Sequence, residues 1–293
     1  MINLFDNSKD SNKEFKVMSD INNEMGQEAK DFLLKLWKNY ESYADKHFLS
    51  EIKSNGKFED RFWEMHLGNV LLEKGYTISS ENEGPDFKIK LDNQIVWIEA
   101  VTSSNGQSDK QDSLISLDDS EDAFHICDDK IALRLRAAIE EKSKKIKKYL
   151  EKETITESEP IIIAINTSKI NVILANEFIE YSEMIFFAKS INSFIKNKED
   201  KIVPLKKDII TKNNGSTVSS NIFLDNKYEH ISAVLFSKCN YTDYNKKELN
   251  NDYLLVCNPF AKNKLPKEIL DISKKVLFHK SDELIKLFVK DEK

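Results

Sequence analysis

Glycine, proline and cysteine are scarce in this chain of 293 residues, which contains seven, five and three of them respectively. So few glycines argue against a collagen-like repeat, a glycine-rich linker or a barrel with many tight turns. The cysteines, Cys127, Cys239 and Cys257, are odd in number and include no CxxC pair. A disulfide framework and a structural zinc site are therefore both disfavoured.

Long apolar runs and several well-known motifs are absent as well. No run of about 18 apolar residues could cross a membrane as a helix, and residues 1–16 lack the apolar stretch of a signal peptide. We therefore expect a cytoplasmic protein. The sequence contains no Walker loop, no GxGxxG fingerprint and no HExxH pair, so nucleotide hydrolysis, dinucleotide binding and a histidine-bound metal lack support.

Charge is plentiful but unevenly distributed. The formal net charge of -6 argues against a dedicated nucleic-acid binder, because such proteins are usually basic. Residues 142–148 (KSKKIKK) nevertheless contain five lysines, whereas residues 118–129 are acidic. A local basic strip of this kind can still face a phosphate backbone, although it is more often a solvated helix surface.

Hydrophobic periodicity indicates helix, three strands, helix and strand in the first half of the chain. Helical spacing is found over residues 26–53 and 58–74, with a break at Asn55-Gly56 and a C-terminal cap at Gly75. We then expect strands over 76–80, 86–91 and 94–102, a long loop over 103–128, a helix over 129–152 and a buried strand over 160–166.

The flanking segments are less regular. Residues 1–24 are polar and are expected to form a loosely docked arm. After residue 170 we expect a helix over 173–196, a polar connection over 197–221, strands over 230–237 and 253–258, and a final helix over 265–290. The predicted fold class is α/β, a mixed sheet flanked by helices, with a helical N-terminal segment and a C-terminal α/β extension.

Two acidic residues stand out in the predicted hairpin. Asp86 opens one strand directly after Gly84-Pro85, and Glu99 is the only charge in the apolar run Val96–Val101. Neighbouring strands lie about 4.8 Å apart, so carboxylates on one sheet face can share a hard cation. Asp86 alone could be a simple turn aspartate, and Glu99 could instead form a structural salt bridge with a lysine.

The helix before the hairpin carries a third carboxylate. Its apolar residues cover two sides, which is typical of a helix buried between layers. Glu64 shares one of these sides with Leu71, so we expect it to point inward. The alternative is that the Glu64 side chain merely reaches solvent.

These residues resemble the PD-(D/E)XK nuclease superfamily, whose restriction-endonuclease-like core is a helix, three strands, a helix and a strand. The resemblance covers residues 57–166, and it divides the chain into an N-terminal arm and helix (1–56), a nuclease-like core (57–170) and an extension (171–293). It implies that Asp86 and Glu99 bind Mg²⁺ or Mn²⁺ with the Ala100 carbonyl, while Glu64 supports the ligand shell.

The chain departs from the family pattern at one position. A lysine is expected two residues after the glutamate, where this sequence has Val101. Lys142 is the preferred substitute, because it lies within the apolar stripe of the helix over 129–152, where a solvated lysine has no reason to be. Lys88, two residues after Asp86 on the same strand face, is the second choice. Lys142 could also snorkel past its apolar neighbours to solvent.

The resemblance further implies an endonuclease that hydrolyses phosphodiester bonds. The expected substrate is double-stranded DNA, held through Lys88, Arg134, Arg136 and Lys145, in a restriction or phage-defence role. Cleavage of both strands by one such site per chain would suggest a homodimer. An RNA-cleaving nuclease is one alternative. Another is a nucleic-acid-binding or structural protein on the same fold, in which catalysis was lost together with the lysine at Val101.

Overall fold

The computed structural model describes residues 4–5, 12–20, 22–80, 83–91, 94–106, 113–114, 128–170, 177–198, 200–280 and 283–289, the last nine strand positions (279–280 and 283–289) by backbone only. Most of the predicted loop over 103–128, including Cys127, therefore lies outside the described residues. The helices are α1 (Lys13–Ser19), α2 (Glu24–Tyr40), α3 (Phe48–Ile52), α4 (Phe58–Glu73), α5 (Asp128–Glu151) and α6 (Phe178–Phe187).

The strands follow α4 in the chain. They are β1 (Thr77–Ser79), β2 (Phe87–Lys90), β3 (Ile95–Ser104), β4 (Ile161–Lys169), β5 (Lys189–Lys196), β6 (Ile202–Lys206), β7 (Ile209–Thr211), β8 (Thr217–Ser219), β9 (Ala233–Ser237), β10 (Leu254–Cys257), β11 (Lys275–Lys280) and β12 (Glu283–Val289). Helix α5 lies between β3 and β4, and α6 lies between β4 and β5.

Eight of the strands form one mixed sheet in the order β1-β2-β3-β4-β9-β10-β11-β12. Strands β1, β2 and β3 pair antiparallel, and β3 then pairs parallel with β4, to which α5 supplies the crossover. Strand β4 pairs parallel with β9, so the sheet continues across residue 170. The predicted α/β class, a mixed sheet flanked by helices, is confirmed.

Helices cover both faces of this sheet. Alternate side chains of β3 point to opposite faces: Ile98 packs with α2 and α4 in one hydrophobic cluster, whereas Trp97 packs with α5 and α6 in another. Strand β4 is buried on both faces, as its apolar sequence predicts. Helices α4 and α5 therefore lie on opposite sides of β3, and this placement decides which carboxylates can meet.

The end of α4 is set by a glycine cap. Gly75 has a φ of 80°, a left-handed conformation that costs glycine little. Its N–H donates to the Leu72 carbonyl at 2.9 Å, and the Tyr76 N–H donates to the Leu71 carbonyl at 3.1 Å. This double pattern is a Schellman motif, which turns the chain directly into β1. The predicted cap at Gly75 is confirmed.

Several predicted elements are wrong. The helix over 26–53 is two helices, α2 and α3, and the helix over 173–196 ends at Phe187, where β5 follows. The predicted arm contains α1, and the predicted connection over 197–221 contains β6, β7 and β8. The final helix is absent: residues 267–272 form a 3-10 helix and β11 and β12 follow, because the sheet edge at β10 offers backbone partners that an isolated helix pattern cannot reveal.

No helix in the described part of the chain is both long enough and apolar enough to cross a membrane.

Candidate functional site

The β2–β3 hairpin brings Asp86 and Glu99 together. Phe87 pairs with Ile98 in the antiparallel ladder, so Asp86, one residue earlier, comes opposite Glu99. Directly opposed residues project to the same face with their Cβ atoms about 5 Å apart. The predicted hairpin is thus confirmed, and the two carboxylates lie side by side where β2 begins.

The backbone of Ala100 faces the position of these two carboxylates. The Trp97 N–H donates to the Pro160 carbonyl beside β4, so the N–H and C=O of Ala100, three residues on, face β2. The Ala100 N–H donates to Asp86 Oδ2 at 2.6 Å. The residue that would donate to the Ala100 carbonyl is Pro85, which has no N–H. The order Pro-Asp therefore keeps a carbonyl oxygen clear of the ladder beside two carboxylates.

Glu99 is completely buried, and its two oxygens differ in their contacts. Lys142 Nζ and Lys145 Nζ both lie 2.7 Å from Oε1. Oε2 is buried and has no hydrogen-bond partner among the described residues. A buried carboxylate oxygen without a partner is costly. Oε2 is consequently the oxygen of this site that is available to a further donor or cation.

Both lysines come from α5, on the Trp97 face of the sheet. Lys142 is 14% exposed and Lys145 is 44% exposed, so the first is held in the layer and the second reaches towards solvent. The sequence predicts Lys142 as the substitute lysine of the site but assigns Lys145 only to substrate binding. The signal for Lys145 was its i+3 spacing from Lys142, which puts both side chains on one helix face.

The electrostatics of the site follow from the close placement of the carboxylates and the two lysines. Burial, and then the charges of Glu99 and Glu64, raise the pKa of Asp86 to about 7, although Lys142 and Lys145 oppose the shift. Burial opposes protonation of Lys145, but the Glu99 carboxylate raises its pKa overall. Lys145 therefore stays protonated and can stabilise negative charge, but it cannot act as a base.

Glu64 is held by a different set of partners. It lies on α4, on the face of the sheet opposite α5, and is close enough to Asp86 to raise the pKa of that carboxyl. Its Oε1 accepts from the Tyr40 hydroxyl at 2.8 Å, and its Oε2 accepts from Arg61 Nη1 at 2.6 Å. Arg61 also pairs with Asp45 at 2.8 Å. Across the described ranges, no three His, Cys, Asp or Glu side chains converge closely enough to hold a metal ion.

No protein-family model, curated protein or solved structure matches the chain. The assignment of a function therefore depends on the chemistry of the site. Asp86, Glu99 and the Ala100 carbonyl form one oxygen cluster, with Lys142 and Lys145 beside it. The supporting role predicted for Glu64 remains a prediction: its charge helps to raise the pKa of Asp86, while its two oxygens accept from Tyr40 and Arg61.

The other predicted substrate-binding residues are spread around this cluster. Lys88 lies on the Glu99 face of β2, with its Nζ 4.9 Å from the centre of the Trp97 ring. Arg134 Nε donates to the Ser104 carbonyl at 2.9 Å and ties α5 to the end of β3. Arg136 is 7% exposed, and its Nη2 lies 3.4 Å from Glu140 Oε2 on the same helix. Contact of all three with one phosphate backbone remains a prediction.

The raised pKa of Asp86 predicts a pH-dependent stability in the absence of metal. Between about pH 4 and pH 7 the folded chain retains a proton that the unfolded chain has lost, so the contribution of Asp86 to stability falls as pH rises through this window. Relative to Asp86→Asn, the free energy of unfolding of the unmodified chain should drop by at least about 1 kcal/mol. Urea denaturation in EDTA at several pH values checks this, and parallel curves for the two proteins would contradict it.

Proposed function

We propose that this chain is a metal-dependent nuclease that hydrolyses phosphodiester bonds in double-stranded DNA, with its active site at the β2–β3 hairpin. The observation that carries the proposal is the unpartnered, fully buried Glu99 Oε2 beside Asp86. Support also comes from the order α4, β1, β2, β3, α5, β4, which is the order of a restriction-endonuclease-like core of the PD-(D/E)XK type.

The donor set suits a hard divalent cation. Asp86, Glu99 Oε2 and the Ala100 carbonyl would hold Mg²⁺ or Mn²⁺, which prefer oxygen ligands and commonly take one or two carboxylates together with water and substrate oxygens. The lysines contact only Oε1, so Oε2 is left for the ion. Because Asp86 ionises only near pH 7, a cation would also favour its charged form by lowering its pKa.

Lys142 and Lys145 would supply the other catalytic groups that the reaction requires. A bound divalent ion would polarise the scissile phosphate and acidify a water. Lys142 would orient that water and neutralise the charge that develops on the phosphorus-bound oxygens. Lys145, protonated and partly exposed, would hold a non-bridging oxygen of the substrate from the solvent side. In this arrangement two α5 lysines replace the lysine that is absent at Val101.

One observation favours a non-catalytic alternative. Lys142 and Lys145 together already neutralise Glu99, which is the geometry of a structural ion cluster. In that case the hairpin would be held by charge pairing, and the chain would be a binding or structural protein on the same fold.

Cleavage assays separate these functions. Purified protein is incubated with supercoiled plasmid, linear duplex DNA and RNA of matched sequence, with Mg²⁺, Mn²⁺, Ca²⁺ or EDTA. We expect nicked or linear plasmid with Mg²⁺ and Mn²⁺ and none with EDTA. Cleavage confined to RNA would change the substrate class, and binding without cleavage under every condition would favour the non-catalytic alternative.

A further inference from the structure

A second cavity lies on the other side of α5. It has a volume of about 890 Å³ and is bounded by the α5 surface that faces away from the sheet and by the β7–β8 hairpin. None of the Glu99 cluster lines it: Lys142 and Lys145 point towards β3, whereas Leu133, Ala137 and Glu140 of α5 line the cavity. The Glu99 cluster therefore lies outside this cavity, although Arg134 and Arg136, two of the residues predicted to hold the nucleic-acid substrate, line it.

Positive charge predominates around this cavity, in a chain whose total charge is negative. Two carboxylates, Glu140 and Glu141, line it. Five cationic side chains face them, namely Arg134, Arg136, Lys144, Lys212 and Lys227. The excess of three positive charges comes from three separate elements, which is a suitable arrangement for an anionic ligand rather than for a single internal ion pair.

Arg136 provides the observation that points to a ligand. Its side chain is more than nine-tenths buried, at 7% exposure, yet Nη1 has no hydrogen-bond partner in the described part of the chain. Its Nη2 is only loosely engaged, 3.4 Å from both Glu140 Oε2 and the Tyr228 hydroxyl. A guanidinium is planar, always charged and geometrically matched to phosphate, so a buried unpaired N–H of this kind calls for an acceptor.

We propose that this cavity binds a small phosphorylated ligand of nucleotide size, with the phosphate held by Arg136 and Lys212. The volume lies in the range of cavities that enclose small molecules. Leu133, Ala137 and Val218 supply an apolar wall for a base or sugar, and Asn214 supplies a polar contact for orientation. The ligand would bridge α5 to the β7–β8 hairpin.

Calorimetric titration of the full chain, in EDTA and without phosphate buffer, tests the proposal with AMP, ATP, inorganic phosphate and adenosine. We expect AMP and ATP to bind, inorganic phosphate to compete with them, and adenosine, which lacks the phosphate, not to bind. Lys212→Ala should weaken AMP binding about tenfold, the effect of losing one charge-assisted hydrogen bond.

The matched control is Lys198→Ala, which removes an exposed lysine from the turn between β5 and β6, outside the cavity. It should bind AMP like the unmodified chain. Arg136→Gln should weaken binding further, and thermal unfolding shows whether that buried substitution still folds. The titration is made in EDTA and requires neither a divalent ion nor cleavage, so a failure of the nuclease proposal does not affect this test.

Each of the following results would overturn the proposal or its assigned phosphate contact. One is the absence of AMP and ATP binding at millimolar concentration, and another is equal affinity for AMP and adenosine. The third is binding of a single-stranded oligonucleotide while mononucleotides do not bind, since the cavity would then serve a polymer backbone. Equal effects of Lys212→Ala and Lys198→Ala would likewise exclude the assigned phosphate contact.

Discussion

Asp86→Asn should reduce metal-dependent cleavage by at least about a hundredfold, while the fold is retained. The asparagine amide oxygen can still accept the Ala100 N–H that Asp86 Oδ2 accepts at 2.6 Å. What the variant loses is the negative charge opposite Glu99, and a neutral amide oxygen binds Mg²⁺ far less well than a carboxylate does. Initial rates of plasmid cleavage at several Mg²⁺ concentrations measure the effect.

The control for this variant is Glu83→Gln, which makes the same chemical change three residues away. The Glu83 side chain is 78% exposed and lies 3.4 Å from Lys152 at the surface. It should cleave at the unmodified rate. A calorimetric titration with Mn²⁺ should show one site in the unmodified chain and in Glu83→Gln, and weakened binding in Asp86→Asn. If Asp86→Asn cleaved as fast as Glu83→Gln, the proposed active site would be wrong.

Replacing both α5 lysines should have the largest effect on stability. In Lys142→Met/Lys145→Met the fully buried Glu99 would lose both ammonium groups, which lie 2.7 Å from Oε1 in the structure. Breaking a buried ion pair costs about 3 kcal/mol or more, because the remaining charge is uncompensated. Chemical denaturation monitored by circular dichroism measures this loss.

The cause of that loss can be separated from a general helix effect. Lys144→Met/Lys148→Met makes the same two substitutions on exposed positions of α5 and should change stability by less than about 0.5 kcal/mol. Adding Glu99→Leu to the first double variant should restore most of the loss, since an apolar replacement of a buried ion cluster is often neutral.

Magnesium provides a further discriminating measurement on the Lys142→Met/Lys145→Met variant. If Glu99 Oε2 and Asp86 bind the ion, millimolar Mg²⁺ should raise the unfolding free energy of the variant, because a ligand that binds only the folded state stabilises it. The triple variant with Glu99→Leu should show no such gain. Equal responses of the two variants to Mg²⁺ would show that Glu99 does not bind the ion. The contacts of Lys142 and Lys145 with Glu99 would then be purely structural.

Local sequence patterns determined the parts of this protein that depend on neighbours in the chain. Alternation of polar and apolar residues over 86–91, the apolar and β-branched run over 94–102 and the turn expected between them predict the hairpin, and its register places Asp86 opposite Glu99. The 3.6-residue period of α5 places Lys142 in the stripe that faces the sheet. Gly75 ends α4 because a left-handed cap there costs glycine little.

Tertiary structure alone decided which elements cover which face and where the polar side chains find partners. Glu64 points inward, as its helical position predicts, but its partners there, the Tyr40 hydroxyl and the Arg61 guanidinium, are set by how α4 packs and not by any local pattern. Strands β11 and β12 form where a helix was predicted, because the open edge of β10 supplies backbone partners from distant sequence. Pairing energies of this kind depend on contacts far apart in the chain, and no local period encodes them.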